Sequence, residues 1–176
     1  MRALALALTI LAIPATAQTY ESARGTVEFT SRVPLHTFTG TSPHLNGALD
    51  LDTREVDFYV DLETVETGIG KRDRDMRDAL ETRRFPFAEF TGRLTTPLDL
   101  QQRTPQRARV EGTFTIHGVA RPLTVVGTIE PTRQGLRVRA GWEVRLDDHN
   151  IQPPRLLMVK VNQVQRVEID ILLTPS

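Results

Sequence analysis

The sequence predicts an all-β domain: an antiparallel barrel or sandwich of about eight or nine strands, with one short helix inserted. Three observations carry this. Apolar residues alternate with polar ones in run after run, the period-2 signature of half-buried strands. Short segments rich in turn-forming residues separate the runs, so consecutive strands reverse direction. A single stretch, Thr67–Phe90, breaks the alternation.

In chain order, Met1–Ala17 stands apart. Arg2 supplies a positive charge, Ala3–Ile13 is apolar apart from Thr9, and Ala15-Thr16-Ala17 is a small-x-small site. This is the pattern of a secretory signal peptide cleaved after Ala17, and the apolar run falls short of the ~20 residues that span a bilayer. The expectation is a periplasmic or secreted protein whose mature chain is one domain over residues 18–176.

Val27 and Phe29 open the strand pattern, and Phe38 and Gly40 resume it after Pro34. Leu45, Gly47, Leu49 and Leu51 then alternate with polar or small residues. Across the turn Asp52-Thr53-Arg54, Val56, Phe58, Val60 and Leu62 do the same, which makes a hairpin. Within Thr67–Phe90, Met76, Ala79 and Leu80 fall at i, i+3 and i+4 among charges running from Arg72 to Glu81. That spacing predicts a short amphipathic helix laid over one end of the sheet. Further strands follow around Phe90, Gly92 and Leu94; around Val110, Gly112, Phe114 and Ile116; and, after a turn at His117-Gly118, around Leu123, Val125, Gly127 and Ile129. A turn from Pro131 to Gly135 leads into Leu136–Asp147, expected as the longest strand. A loop at Pro153-Pro154 precedes the last strand, with Val167, Ile169, Ile171 and Leu173 on one face.

Composition narrows the function. Without Arg2, 21 basic residues face 22 acidic ones in the mature chain. Nucleic-acid binding needs a basic surplus or stripe, so this balance argues against it. No cysteine is present, which removes disulfides and thiolate chemistry and leaves stability to the core. The histidines (His36, His44, His117, His149) lack the spacing of a compact metal motif, so no metal is expected; His36 and His44 near one turn read as solvated side chains. There is no G-x-S-x-G elbow. The adjacent carboxylates Asp147-Asp148 would point to opposite faces of a strand, unlike a glycosidase pair. Nothing signals an enzyme.

Gly40, Gly47, Gly92, Gly112 and Gly127 share the parity of the apolar face. Glycine fills no core volume, so they imply either a hollow interior or bends in a strongly coiled sheet. If the interior is hollow, a side chain at Gly112 or Gly127 would project into free volume.

Three blocks together resemble one family. Thr67-Gly68, Arg72-Asp73, Leu80-Glu81-Thr82, Phe85-Pro86 and Phe90 form the first. Gly112, Ile116-His117-Gly118-Val119 and Arg121-Pro122 form the second. Leu146–Ile151, Pro154, Lys160-Val161 and Val167 form the third. In this order they are similar to the YceI-like family. The resemblance implies an extended antiparallel lipocalin-like β-barrel of about eight strands with one short helical insertion. It further implies export to the periplasm, a homodimer, transient membrane contact and an apolar tunnel for an isoprenoid-type lipid, a polyisoprenoid or isoprenoid quinone.

On that reading the tunnel lining would be Phe38, Phe58, Val60, Phe85, Phe90, Phe114, Ile116, Val125, Trp142, Val144, Ile169 and Ile171, with no cofactor beyond the lipid. The bland alternative for the aromatics is an ordinary core. Arg72 and Asp73 would form a polar mouth, or else simply be charges at a helix end. If the interior is filled, the domain would instead be an interaction or stress-protective module acting through its surface.

Overall fold

The computed structural model describes residues 18–33, 36–153, 155–156, 159–160 and 162–176; the expected signal peptide, Met1–Ala17, lies outside the described residues, as do Pro154 and Val161 of the third block. The elements in order are β1 (Thr19–Val33), β2 (His36–Asp50), β3 (Glu55–Asp61), a 3-10 turn (Leu62–Thr64), α1 (Gly70–Leu80), β4 (Phe87–Leu94), β5 (Gln106–Ile116), β6 (Val119–Pro131), β7 (Leu136–Arg145), a second 3-10 turn (Asp147–His149), β8 (Arg155–Leu156), β9 (Val159–Lys160) and β10 (Val164–Pro175).

Eight strands close into an antiparallel barrel in the order β1-β10-β7-β6-β5-β4-β3-β2, so the choice between barrel and sandwich falls to the barrel. The small ladder β8-β9 lies within the expected proline loop. Strands β2 to β6 each pair with both of their sequence neighbours, and β7 pairs with β6 and β10. The seam that closes the ring joins β1 to β10, with Tyr20 opposite Pro175.

The longest strands are β1 and β2, 15 residues each, rather than the 10-residue β7. Their length is masked in the sequence because the alternation is broken. Gly25 and its neighbours form an irregularity against Ser42 and Leu45, which bends both strands. The Ile116–Val119 hairpin turns through His117 (φ 55°) and Gly118 (φ 71°), both left-handed, the two-residue geometry that matches strand twist.

The two ends of the barrel differ. The end that holds the β2–β3 and β6–β7 turns is packed solid by Leu49, Leu136, Ile171 and Leu173, each at most 2% exposed. The other end carries α1.

The inward glycines do not open the interior. Gly92 and Gly112 face each other across β4 and β5. A Cβ at Gly112 would lie 2.2 Å from the Thr91 carbonyl oxygen, and one at Gly92 2.6 Å from that of Glu111. At Gly127 the Arg139 carbonyl is 2.4 Å away; at Gly40 and Gly47 the rings of Phe29 and Phe58 are within 2.5 Å. The expectation that a side chain at Gly112 or Gly127 enters free volume is therefore overturned. These glycines let backbones and rings approach closely where the sheet coils. The hollow region has another origin.

Candidate functional site

That region is a cavity of about 230 Å³ in the half of the barrel beneath α1. Its walls are inward-facing residues of all eight barrel strands. The helix contributes Met76, Ala79 and Leu80, the face expected from their spacing, together with Arg72 and Asp75. Leu146, Ile151 and Pro153, from the β7–β10 connection, also line it. Leu49, Leu136 and Leu173 at the filled end are absent from its lining, so the cavity is a blind pocket rather than a through tunnel.

Of the residues singled out from the sequence, Phe38, Phe58, Val60, Phe90, Phe114, Ile116, Val125, Trp142, Val144 and Ile169 lie around this one space. Phe85 and Ile171 lie elsewhere. Ile171 is one inward step past Ile169, where it fills the slots left by Gly25 and Gly47. Phe85 precedes the bend at Pro86, and its ring covers Gly118 and meets His117 edge-on at 5.0 Å.

Arg72 and Asp73 part company. Arg72 lines the cavity, with its guanidinium 4.4 Å from the Phe38 ring centroid and its Nε donating to Thr67 Oγ1 at 3.1 Å. Asp73 turns back instead. Its Oδ1 accepts from the Thr67 amide at 2.8 Å and from the Thr67 hydroxyl. Thr67 follows Glu66, whose backbone pairs with that of Thr41 on β2. Asp73 thus ties the start of α1 to the barrel wall. At the other end, Arg77 donates to the Glu63 carbonyl at 2.9 Å, and the buried Thr82 hydroxyl donates to the Glu63 carboxylate. The helix is pinned at both ends.

Burial by itself would raise the pKa of Asp73, but hydrogen bonds from Thr67 and the charges of Arg77 and Arg72 outweigh it and hold the carboxyl below its ordinary 3.8. A depressed carboxyl pKa adds stability that is present above the unfolded value and lost as pH falls through the folded one. Asp73→Asn is therefore expected to cost about 1–3 kcal/mol near neutrality. Its stability should also flatten below about pH 4, where the wild type continues to lose this contribution. Denaturation midpoints from pH 2 to 7 check this. Parallel wild-type and variant curves across that range would refute the role assigned to Asp73.

The model of the YceI-like domain matches residues 19–173. The chain belongs to the YceI-like family. Solved structures share the fold at low identity. A polyisoprenoid-binding domain from Saccharophagus degradans implicated in plant cell wall breakdown aligns with TM-score 0.77 and 19% identity, over 92% of this chain and 100% of that one. BcnA of Burkholderia cenocepacia gives 0.71 and 14%, over 86% and 97%. The YceI protein of Campylobacter jejuni gives 0.56 and 12%, over 99% and 93%. No curated protein sequence matches this chain.

The YceI-like blocks of the sequence converge beside the cavity, around the β5–β6 turn. His117 Nδ1 faces the His149 carbonyl at 3.1 Å, His149 Nδ1 faces the Val119 carbonyl at 2.9 Å, and Arg121 Nε donates to the Asp148 carbonyl at 2.9 Å. Two histidines distant in sequence thus brace the turn against the chain that follows β7. Phe114 links this brace to the cavity, with its ring 5.6 Å from His149 and 5.9 Å from Trp142. Among the described residues, no group of three or more His, Cys, Asp or Glu is placed to hold a metal.

Sequence reasoning missed several wall positions. On β1 these are Val27, Phe29 and Ser31; on the far wall they are Val138, Ala140 and Val167. Parity was the available signal, since Val27, Phe29 and Ser31 are spaced by two. A serine on an apolar face reads as an interruption, not as part of the lining.

Proposed function

We propose that this YceI-like domain is an exported binding protein that holds an apolar chain, a polyisoprenoid or isoprenoid quinone, in the cavity under α1. The observation that carries the reading is an apolar interior space, closed at one end and roofed by a helix whose apolar face completes the wall. The polyisoprenoid-binding domain of the same fold supports it by analogy. Each methylene buried against such a wall contributes about 0.8 kcal/mol before ordering costs, with a practical yield near 0.3 kcal/mol per heavy atom for a large ligand. Binding and carriage, not catalysis, are what such a wall does.

Exchange of the ligand by brief contact with a membrane belongs to the same proposal. Ile69, Tyr59 and Phe87 are exposed on or near the end roofed by α1, the last two in edge-to-face contact at 5.8 Å. A homodimer is proposed on the family resemblance. The direct test is organic extraction of protein purified natively from the cell envelope and beginning at Gln18, followed by mass spectrometry. A co-purified isoprenoid is expected. Recovery of protein with no lipid, whose cavity also takes up none when offered polyprenols, would favour a module acting through its surface.

A further inference from the structure

The cavity wall is apolar but carries two polar groups with no hydrogen-bond partner among the described residues. Ser31 is fully buried, and its Oγ has no hydrogen-bond partner among the described residues. The indole Nε1 of Trp142 is buried and likewise unpartnered. Both residues line the cavity. A buried donor left unmade costs the full desolvation of that group, so native interiors rarely keep one. Here two occur in one small space.

Register places them on the same side of the barrel. Ser31 on β1 lies opposite Gln165 on β10, which lies opposite Val144 on β7; one inward layer deeper, Phe29 faces Val167, and Val167 faces Trp142. The two donors therefore occupy adjacent layers, two strands apart. Gln165 has its own partner, donating to the Asn162 carbonyl at 2.5 Å.

The chemistry of the pair selects the ligand. An indole N–H can only donate, and a serine hydroxyl can donate or accept, so the shared requirement is an acceptor. That acceptor is uncharged. The inward neighbours of Trp142 are Phe114, Val167, Ala140 and Val144. The only cation in the cavity lining is Arg72 on the helix above, already bonded to Thr67 and stacked on Phe38. A carboxylate or phosphate beside the indole would be a buried, unpaired charge. A resident water needs two to four polar partners, which the apolar layer around Trp142 does not offer.

Resting on the carrier reading above, we infer that Trp142 and Ser31 each offer a hydrogen bond to a neutral oxygen acceptor, a carbonyl oxygen on the apolar chain. The cavity then discriminates between an oxygenated chain and a plain hydrocarbon. Such discrimination is steep when the site's own donors are left unmade by the wrong ligand.

The test uses the whole mature protein and two probes of one skeleton, farnesylacetone and the corresponding hydrocarbon without oxygen. Binding is read by equilibrium dialysis with mass spectrometry, which does not depend on the indole. The ketone is expected to bind roughly tenfold more tightly than the hydrocarbon, the yield of one to two net hydrogen bonds. Trp142→Phe and Ser31→Ala should each reduce that ratio, and the double variant should bring it to about one. Trp142 is the sole tryptophan of the chain, so its emission should shift to the red with the ketone and not with the hydrocarbon. Ser31→Ala should also raise the melting temperature of the unliganded protein, because it deletes an unmade buried hydroxyl; this separates loss of binding from misfolding. Equal affinity for the two probes overturns the subsite but leaves the carrier standing. A ketone preference that survives in the double variant also overturns it. Failure to bind either probe overturns the carrier, and the subsite with it.

Discussion

Gly112→Ala should cost the barrel more than about 3 kcal/mol, above the range of most single substitutions. The added Cβ would stand 2.2 Å from the Thr91 carbonyl oxygen and 2.7 Å from the Gly92 Cα. Both are backbone atoms of β4, held in register by the ladder from Glu89 to Leu94, so neither can swing aside as a side-chain tip would. Relief requires separating two paired strands in the barrel wall. Gly92→Ala meets the Glu111 carbonyl at 2.6 Å and should behave alike. Gly70→Ala is the contrasting control. Its nearest neighbour would be an Arg74 nitrogen at 3.8 Å, and alanine at the first turn of α1 should be neutral or gain up to about 1 kcal/mol. Thermal and denaturant midpoints of the three variants decide the matter. A Gly112→Ala protein as stable as wild type would mean that β4 and β5 do not approach so closely.

Val167→Phe is expected to do the opposite: hold stability within about 1 kcal/mol while lowering lipid binding tenfold or more. Val167 lines the cavity between Phe29 and Trp142 in one cross-strand row. The extra ring carbons enter the cavity that Val167 lines. They gain contacts with those two rings and occupy the volume the ligand needs. In a close-packed core the same change would overpack and cost about 1–3 kcal/mol. Melting temperatures together with retained isoprenoid distinguish the cases. Strong destabilisation, or undiminished binding, would show that the space beside Val167 is not where the chain lies.

The placement of the free volume explains what could and could not be read from the residues. Alternation from Val56 to Leu62 and from Leu136 to Leu146 is a local property of single strands, so β3 and β7 were legible. So was the helix face Met76, Ala79 and Leu80, which needs only one turn of periodicity. The full reach of β1 and β2 was hidden because their bend at Gly25 breaks parity midway. The glycines misled for a related reason. Gly112 is small because Thr91 and Gly92 are near it, and nearness between strands depends on how tightly the sheet coils. Whether volume between facing walls is filled is a pairwise property of residues far apart in sequence. Ile169 meets the cavity and Ile171 does not, although they share a face and a side-chain type. The subsite at Ser31 and Trp142 was invisible for the same reason, since a missing hydrogen bond exists only once both groups are surrounded.

The β1–β10 seam has a kinetic meaning. Every other ladder in the ring joins strands that are consecutive in the chain, apart from β7 and β10, which are separated by the β8–β9 segment, and the longest of those connections is the one that carries α1 between β3 and β4. Pairing Tyr20 with Pro175 closes a loop of roughly 150 residues. By chain entropy alone this is costlier by roughly 3 kcal/mol than closing a five-residue hairpin. The meander from β2 to β7 can therefore form while the ring is still open, and an emerging chain completes its wall only when the last strand is free. Until then the residues that will enclose the ligand face water on an unrolled sheet with two bare edges, one at each end of the chain. Loading belongs after this step, and a chain that lacks β10 would keep its edges available to other chains rather than to its own first strand.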